Sequence, residues 1–167
     1  LMTGTGATSA AHLDLDGDGE IDTRIQILQF SESGRFESNN SLFSTTKPGF
    51  SISITVIKPE SKGEITLNGE SNFINPMYLN SKADMELLKL ALKFCTNLLK
   101  SDFMNEHILD IEDQTEIENS PEKYILKNFH SGYHLIGGTS DAINSNFKVH
   151  NTQGLFVCDA SIFQEYA

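Results

Sequence analysis

Between Ser81 and Lys100 the apolar residues recur at helical spacing. Met85, Leu88, Leu92, Cys95 and Leu99 fall at i, i+3, i+7, i+10 and i+14, one stripe about four turns long. Leu87, Leu90, Ala91, Phe94 and Leu98 widen that stripe, so the pattern predicts a helix buried on most of its surface. Ser81 with Asp84 three residues on reads as a capping box with Asp for the usual Glu. Such a helix needs a partner layer, and the residues before it supply one. Phe50-Ser51-Ile52-Ser53-Ile54-Thr55-Val56 alternates apolar and polar, the period of a half-buried strand. Thr23 to Phe30 reads as another strand, and Glu64-Ile65-Thr66-Leu67 as a strand returning after the Ser61-Lys62-Gly63 turn. Helix and antiparallel strands together predict an α+β fold.

The remaining segments are read as connections. Residues 1–13, rich in Thr, Gly, Ala and Ser, read as flexible connector, and residues 31–48 as a Ser- and Asn-rich loop. Residues 101–119 read as an acidic, irregular excursion. Ser120-Pro121-Glu122 opens a short helix running to about Asn128: a cap, a proline at the first position, an acid in the first turn.

With 167 residues the chain is long enough to bury a substantial core. Its formal charge of −11 argues against a nucleic-acid partner, which requires clustered Lys and Arg. No stretch approaches the roughly 20 apolar residues of a membrane span. Cys95 and Cys158 both sit in apolar runs and read as buried thiols. The start, Leu1-Met2-Thr3-Gly4, has neither the basic region nor the apolar run of a secretory leader. Leu1 is not an initiator, so the chain reads as a fragment of a longer one.

Asp14-Leu15-Asp16-Gly17-Asp18-Gly19-Glu20-Ile21-Asp22 concentrates Asp14, Asp16, Asp18, Glu20 and Asp22 in one loop. Hard oxygens at this spacing suit Ca²⁺. An EF-hand would need Glu at the twelfth position, where Ile25 stands. The pattern is closer to the calcium loops of FG-GAP-type repeats, with Asp22 as the last ligand. Two readings stay open: a calcium loop, which would make the chain a calcium-stabilised, non-catalytic module, and a solvated acidic turn.

The chemistry lies between Phe129 and Phe163. His134 precedes the small-residue loop Gly137-Gly138-Thr139-Ser140. Lys148-Val149-His150 follows, then a turn, then the apolar run Leu155 to Cys158, which is short enough for a buried strand. Asp159-Ala160-Ser161 ends that run and is expected to open a helix whose N-terminus would seat an anion. His130 and His134 have the spacing of a helical zinc site but lack its Glu, and no G-x-S-x-G elbow or G-x-G-x-x-G turn occurs.

The matches His134, Gly137, Thr139, Lys148-Val149-His150, Leu155, Val157 and Asp159-Ala160-Ser161-Ile162-Phe163 resemble the closing signature of the glucose-methanol-choline (GMC) family of flavin-dependent alcohol oxidoreductases. Gly138 stands where that family has Thr, Ser140-Asp141 where it has Arg-Met, and Gln164 where it has Pro. Pro59, Ser61-Lys62-Gly63, Ile65, Leu67, Pro76, Tyr78-Leu79 and Asp84 resemble its substrate-binding half, in the same chain order.

The resemblance implies an α+β substrate-binding domain over residues 1–127. It implies a closing segment of a FAD-binding domain over residues 128–167, with the N-terminal FAD-binding portion of the same polypeptide missing from this sequence. It implies oxidation of a CH–OH group by hydride transfer to FAD. His134 would be the proton acceptor, because removing the hydroxyl proton makes a far better hydride donor and imidazole suits that task near neutral pH. Gly137, Gly138 and Thr139 would let backbone approach the flavin, and Asp159 and Ala160 would lie along its phosphate and ribityl part. A small alcohol or sugar would be the substrate. The family's second His or Asn falls beyond Ala167.

Overall fold

The computed structural model describes residues 7–29, 48–69 and 71–165. Two compact units divide the chain, Leu1–Lys127 and Asn128–Ala167.

In the first unit, β1 (Ala7–Leu13), β2 (Thr23–Leu28) and β3 (Ser51–Val56) form an antiparallel sheet in that order. The register sets Thr23 opposite Val56, Ile25 opposite Ile54 and Ile27 opposite Ile52, so the apolar positions of both strands share one face. Thr23 and Ile25 are buried there, whereas Phe50 lies just before β3 and is exposed. β1 overturns the reading of residues 1–13 as connector throughout. Its small residues carry no alternation, yet their backbone pairs with β2 from Ala7–Leu28 to Leu13–Thr23. The loop expected over residues 31–48 lies outside the described residues except for Pro48.

Helix α1 (Lys82–Leu99) packs against β3. Ser81 caps it, its Oγ accepting from the Ala83 N–H at 3.1 Å. Met85, Ala91 and Cys95 are buried and Leu88, Leu92 and Leu99 half-buried, so the predicted stripe faces inward. Leu90, Phe94 and Leu98 remain 41–43% exposed. The helix is therefore wetter than its composition suggested: these three lie at i, i+4 and i+8 on a line the sheet does not cover.

Asp84 does not complete a capping box. Its side chain leaves the helix and accepts from the backbone N–H of Glu60 at 2.8 Å, the N–H of Ser61 at 3.0 Å, and the Ser61 hydroxyl. Ser61 Oγ in turn accepts from the Ser81 N–H at 3.0 Å. The carboxylate is 4% exposed, so it is a buried charge satisfied by oriented donors.

That tie explains the strand that does not return. β4 (Glu64–Asn68) pairs with β5 (Ser71–Asn75) in a separate two-stranded sheet instead of joining β3. Pro59 has no N–H, and those of Glu60 and Ser61 are committed to Asp84, so the segment leaving β3 cannot build a ladder beside it. Gly63 is required here: a Cβ would lie 2.5 Å from the Asn75 carbonyl oxygen and 2.6 Å from Pro76 Cα. The hairpin leaves Ile65, Leu67, Phe73 and Ile74 exposed.

Residues 101–119 are less irregular than expected, for they hold α2 (Asp102–Asn105) and α3 (Gln114–Asn119). α4 (Pro121–Asn128) starts and stops where its cap and proline predict. Ion pairs reaching across these short helices were not legible as local pattern: Lys123–Glu116 at 2.6 Å, Lys127–Asp113 at 3.3 Å, and Lys100–Glu118. The lysines hold the carboxyls of Glu116 and Glu118 below their ordinary range. All are exposed pairs of small individual worth.

The second unit is made of turns. Two isolated bridges, Ile143–Val149 and Lys148–Phe156, and two 3-10 turns, Ser140–Ala142 and Ala160–Ile162, are its regular features among the described residues. The strand expected at Leu155–Cys158 is a single bridge, and Leu155, Phe156 and Cys158 are exposed. Cys158 is thus not the buried thiol expected. Cys95 is, and burial pushes its thiol up to about 11.

Candidate active site

The segment carrying His134 leaves α4 without regular structure. Tyr133 takes a left-handed backbone, φ +61°, an uncommon conformation for a bulky residue, with its N–H held by Ser131 Oγ at 3.0 Å. His134 follows and is exposed. Three residues on, Gly137 has φ +90°, a conformation glycine adopts without strain.

From there the chain runs beside the Asp159–Phe163 turn. A Cβ on Gly137 would lie 3.5 Å from the Phe163 carbonyl oxygen, and one on Gly138 would lie 3.9 Å from Ser161 Cβ. The Thr139 N–H donates to the Ser161 carbonyl at 3.0 Å, and the two hydroxyls lie 2.7 Å apart. Asp159 closes the group. Its Oδ1 accepts from the Ser161 N–H at 2.9 Å and from the Ser161 hydroxyl at 2.5 Å, and these bonds hold the carboxyl below its ordinary range. Thr139 and Asp159, twenty residues apart, are therefore both bonded to Ser161, whose linking role sequence reasoning missed. Its only signal was the hydroxyl position in Asp-Ala-Ser.

One expected feature is absent. The residues after Asp159 form a three-residue 3-10 turn, too short for the helix dipole invoked to seat an anion. Gly138 and Ala160 are exposed, and neither carries a side chain larger than a methyl group.

The acidic loop closes the β1–β2 hairpin, where the Asp22 N–H donates to the Leu13 carbonyl at 3.0 Å. Asp14, Asp16 and Asp18 each bring a carboxylate oxygen within 4.8 Å of the others. Asp14 also accepts from the N–H groups of Gly17 and Gly19, at 2.7 and 2.9 Å. Glu20 turns to Lys58 at 2.7 Å, and that ammonium lowers its carboxyl pKa. Asp22 Oδ2 accepts from Leu15 and Asp16, while its buried Oδ1 has no hydrogen-bond partner among the described residues. Of the five expected ligands, three converge and Glu20 points elsewhere.

With that geometry in place, comparison with known proteins defines the class. Residues 59–166 match the family profile described as GMC oxidoreductase, more than half of the chain. The chain belongs to the GMC oxidoreductase family. It is 28% identical over 130 residues to fatty acid photodecarboxylase, chloroplastic, of Chlamydomonas reinhardtii, an alignment covering 68% of this chain and 21% of that protein. It is 27% identical over 130 residues to versicolorin B synthase of Aspergillus parasiticus, covering 68% of this chain and 20% of that one. Among solved structures, pyridoxine 4-oxidase from Mesorbium loti superposes with a TM-score of 0.68 at 18% identity, over 96% of this chain and 34% of its own. That likeness is one of fold, α+β with antiparallel sheets and packed helices. The chain spans about a fifth of the length of the curated relatives it matches.

Proposed function

We propose that this chain contributes the proton-accepting histidine and part of the flavin cradle of a FAD-dependent oxidoreductase acting on the CH–OH group of an alcohol or sugar. The observation that carries the reading is the seating of the Gly137–Thr139 loop on the Asp159–Ser161 turn. It presents side-chain-free backbone a few residues from an exposed imidazole. Bound FAD would supply the electron acceptor. His134 would hold the substrate hydroxyl by a hydrogen bond and take its proton. Gly137 and Gly138 would admit the ring, and Asp159 and Ala160 would lie along its chain. The FAD-binding remainder of the same polypeptide is the partner this reading requires. The named relatives include a photodecarboxylase and a synthase, so the choice of CH–OH chemistry rests on His134. The test is direct: the purified full-length protein should carry a flavin absorbance that bleaches anaerobically with a primary or secondary alcohol or a sugar. A colourless protein, or a flavin no member of such a panel reduces, removes the reading.

A second reading concerns the acidic loop. Family membership weighs against a stand-alone non-catalytic module, but the profile match begins at residue 59 and lends nothing to residues 14–22. The convergence of Asp14, Asp16 and Asp18, with Asp22 Oδ1 buried and without a hydrogen-bond partner among the described residues, favours a Ca²⁺ that braces the β1–β2 hairpin. No helix among the described residues is long and apolar enough to cross a membrane. Ca²⁺ at a hundred times its Kd should stabilise the protein by about 2.7 kcal/mol. A melting temperature indifferent to both Ca²⁺ and EDTA would leave a solvated turn.

A further inference from the structure

The hydrogen bonds joining Thr139, Ser161 and Asp159 have a direction. Ser161 has one hydroxyl proton and two neighbours for it, Asp159 Oδ1 at 2.5 Å and Thr139 Oγ1 at 2.7 Å. An ionised carboxylate only accepts. Asp159 is ionised at neutral pH, its carboxyl lowered by these same bonds. Ser161 therefore donates to Asp159, and Thr139 must donate to Ser161. A hydroxyl whose proton is drawn toward a carboxylate is a stronger acceptor, so the second bond is reinforced by the first. Thr139 adds its backbone N–H to the Ser161 carbonyl, making two bonds to one residue.

This matters because of what precedes Thr139. A glycine pair clears space for a ligand but has the largest backbone freedom to lose on ordering. Gly137 and Gly138 have no side chains that could hold them in place. A tether one residue downstream removes that freedom before any ligand arrives, which is how pre-organisation raises affinity.

We propose that Ser161 is a positioning residue: through Thr139 it locks the glycine loop to the Asp159 turn so that both present one continuous backbone surface to FAD. This rests on the flavin reading above. The test uses the full-length holoprotein with Ser161→Ala, Thr139→Val, the double variant and Ser161→Thr. FAD dissociation is followed by the recovery of flavin fluorescence, and the visible flavin spectrum of each variant is recorded. Losing a hydrogen bond of this kind should raise the FAD Kd about tenfold. The double variant should match Ser161→Ala within about a factor of two, since both remove the same link. Ser161→Thr, which keeps the hydroxyl, should restore affinity and spectrum.

Single effects that multiply in the double variant, or an unchanged Kd in Ser161→Ala, overturn the proposal. Amide hydrogen exchange at Gly138 and Thr139 separates this from failure of the flavin reading. If the wild-type protein binds no FAD, that reading has failed, and exchange alone decides the coupling: faster in Ser161→Ala supports it, unchanged overturns it.

Discussion

Replacing His134 with alanine in the full-length protein is expected to slow flavin reduction by substrate about 10²–10⁴-fold while the flavin stays bound. The size follows from the chemistry. A neutral alcohol parts with hydride poorly, and the step becomes easy only as its proton moves to a base in the same transition state. On the proposed reading alanine removes that base, while the loop beyond His134 is still held by the Thr139–Ser161 bonds. FAD content should therefore be unchanged. His134→Gln makes the sharper comparison, since it retains a hydrogen bond to the hydroxyl without a comparable proton affinity. Its turnover should be almost as low, with substrate affinity better preserved than in the alanine variant. Anaerobic stopped-flow at the flavin absorbance separates the two effects. Wild-type reduction rates in either variant would remove His134 from its assigned role.

The second large effect is on stability. Asp84→Ala strips three donors, two backbone N–H groups and the Ser61 hydroxyl, of a buried acceptor. Each buried donor left unmade costs about 1–3 kcal/mol, less whatever water recovers. A net loss of roughly 2–4 kcal/mol is expected, lowering the melting temperature on the order of 10 °C. Asp84→Asn should fare little better, because an amide offers one oxygen to donors that now meet two. Chemical denaturation should show a lower midpoint with the slope nearly unchanged. A loss under about 0.5 kcal/mol, the ordinary range of a surface change, would show that the tie from α1 to residues 60–61 is not holding the fold.

These two residues also mark what the sequence could tell. α1 and α4 were legible because their signals are local: Ser81 and Pro121 mark their starts, and the apolar period of α1 runs unbroken. β3 followed from alternation, and β2 also read as a strand. β1 and β5 did not, because Ala7–Leu13 and Ser71–Asn75 carry no such period and are strands only by virtue of what they pair with. α2 and α3 hid in an acidic stretch whose lysine partners lie up to 18 residues away. The site divides in the same way. His134 and the glycine loop stand out as a motif, while the bond uniting Thr139 with Ser161 spans 22 residues and leaves no local trace. Asp84 was recognised as a helix-opening acid, but its partners lie on another segment.

The β4–β5 hairpin bears on how this polypeptide behaves in a test tube. Ile65, Ile74 and Leu67 lie on one face of a two-stranded ribbon, and among the described residues no third strand pairs with either edge. A ribbon of that kind is a template for adding strands from neighbouring molecules. Residues 1–167 expressed alone are thus prone to concentration-dependent precipitation seeded there. A lysine at Leu67 would be the first remedy, since a charge midway along such an edge disfavours stacking without touching the Gly63 crossing or the Asp84 tie.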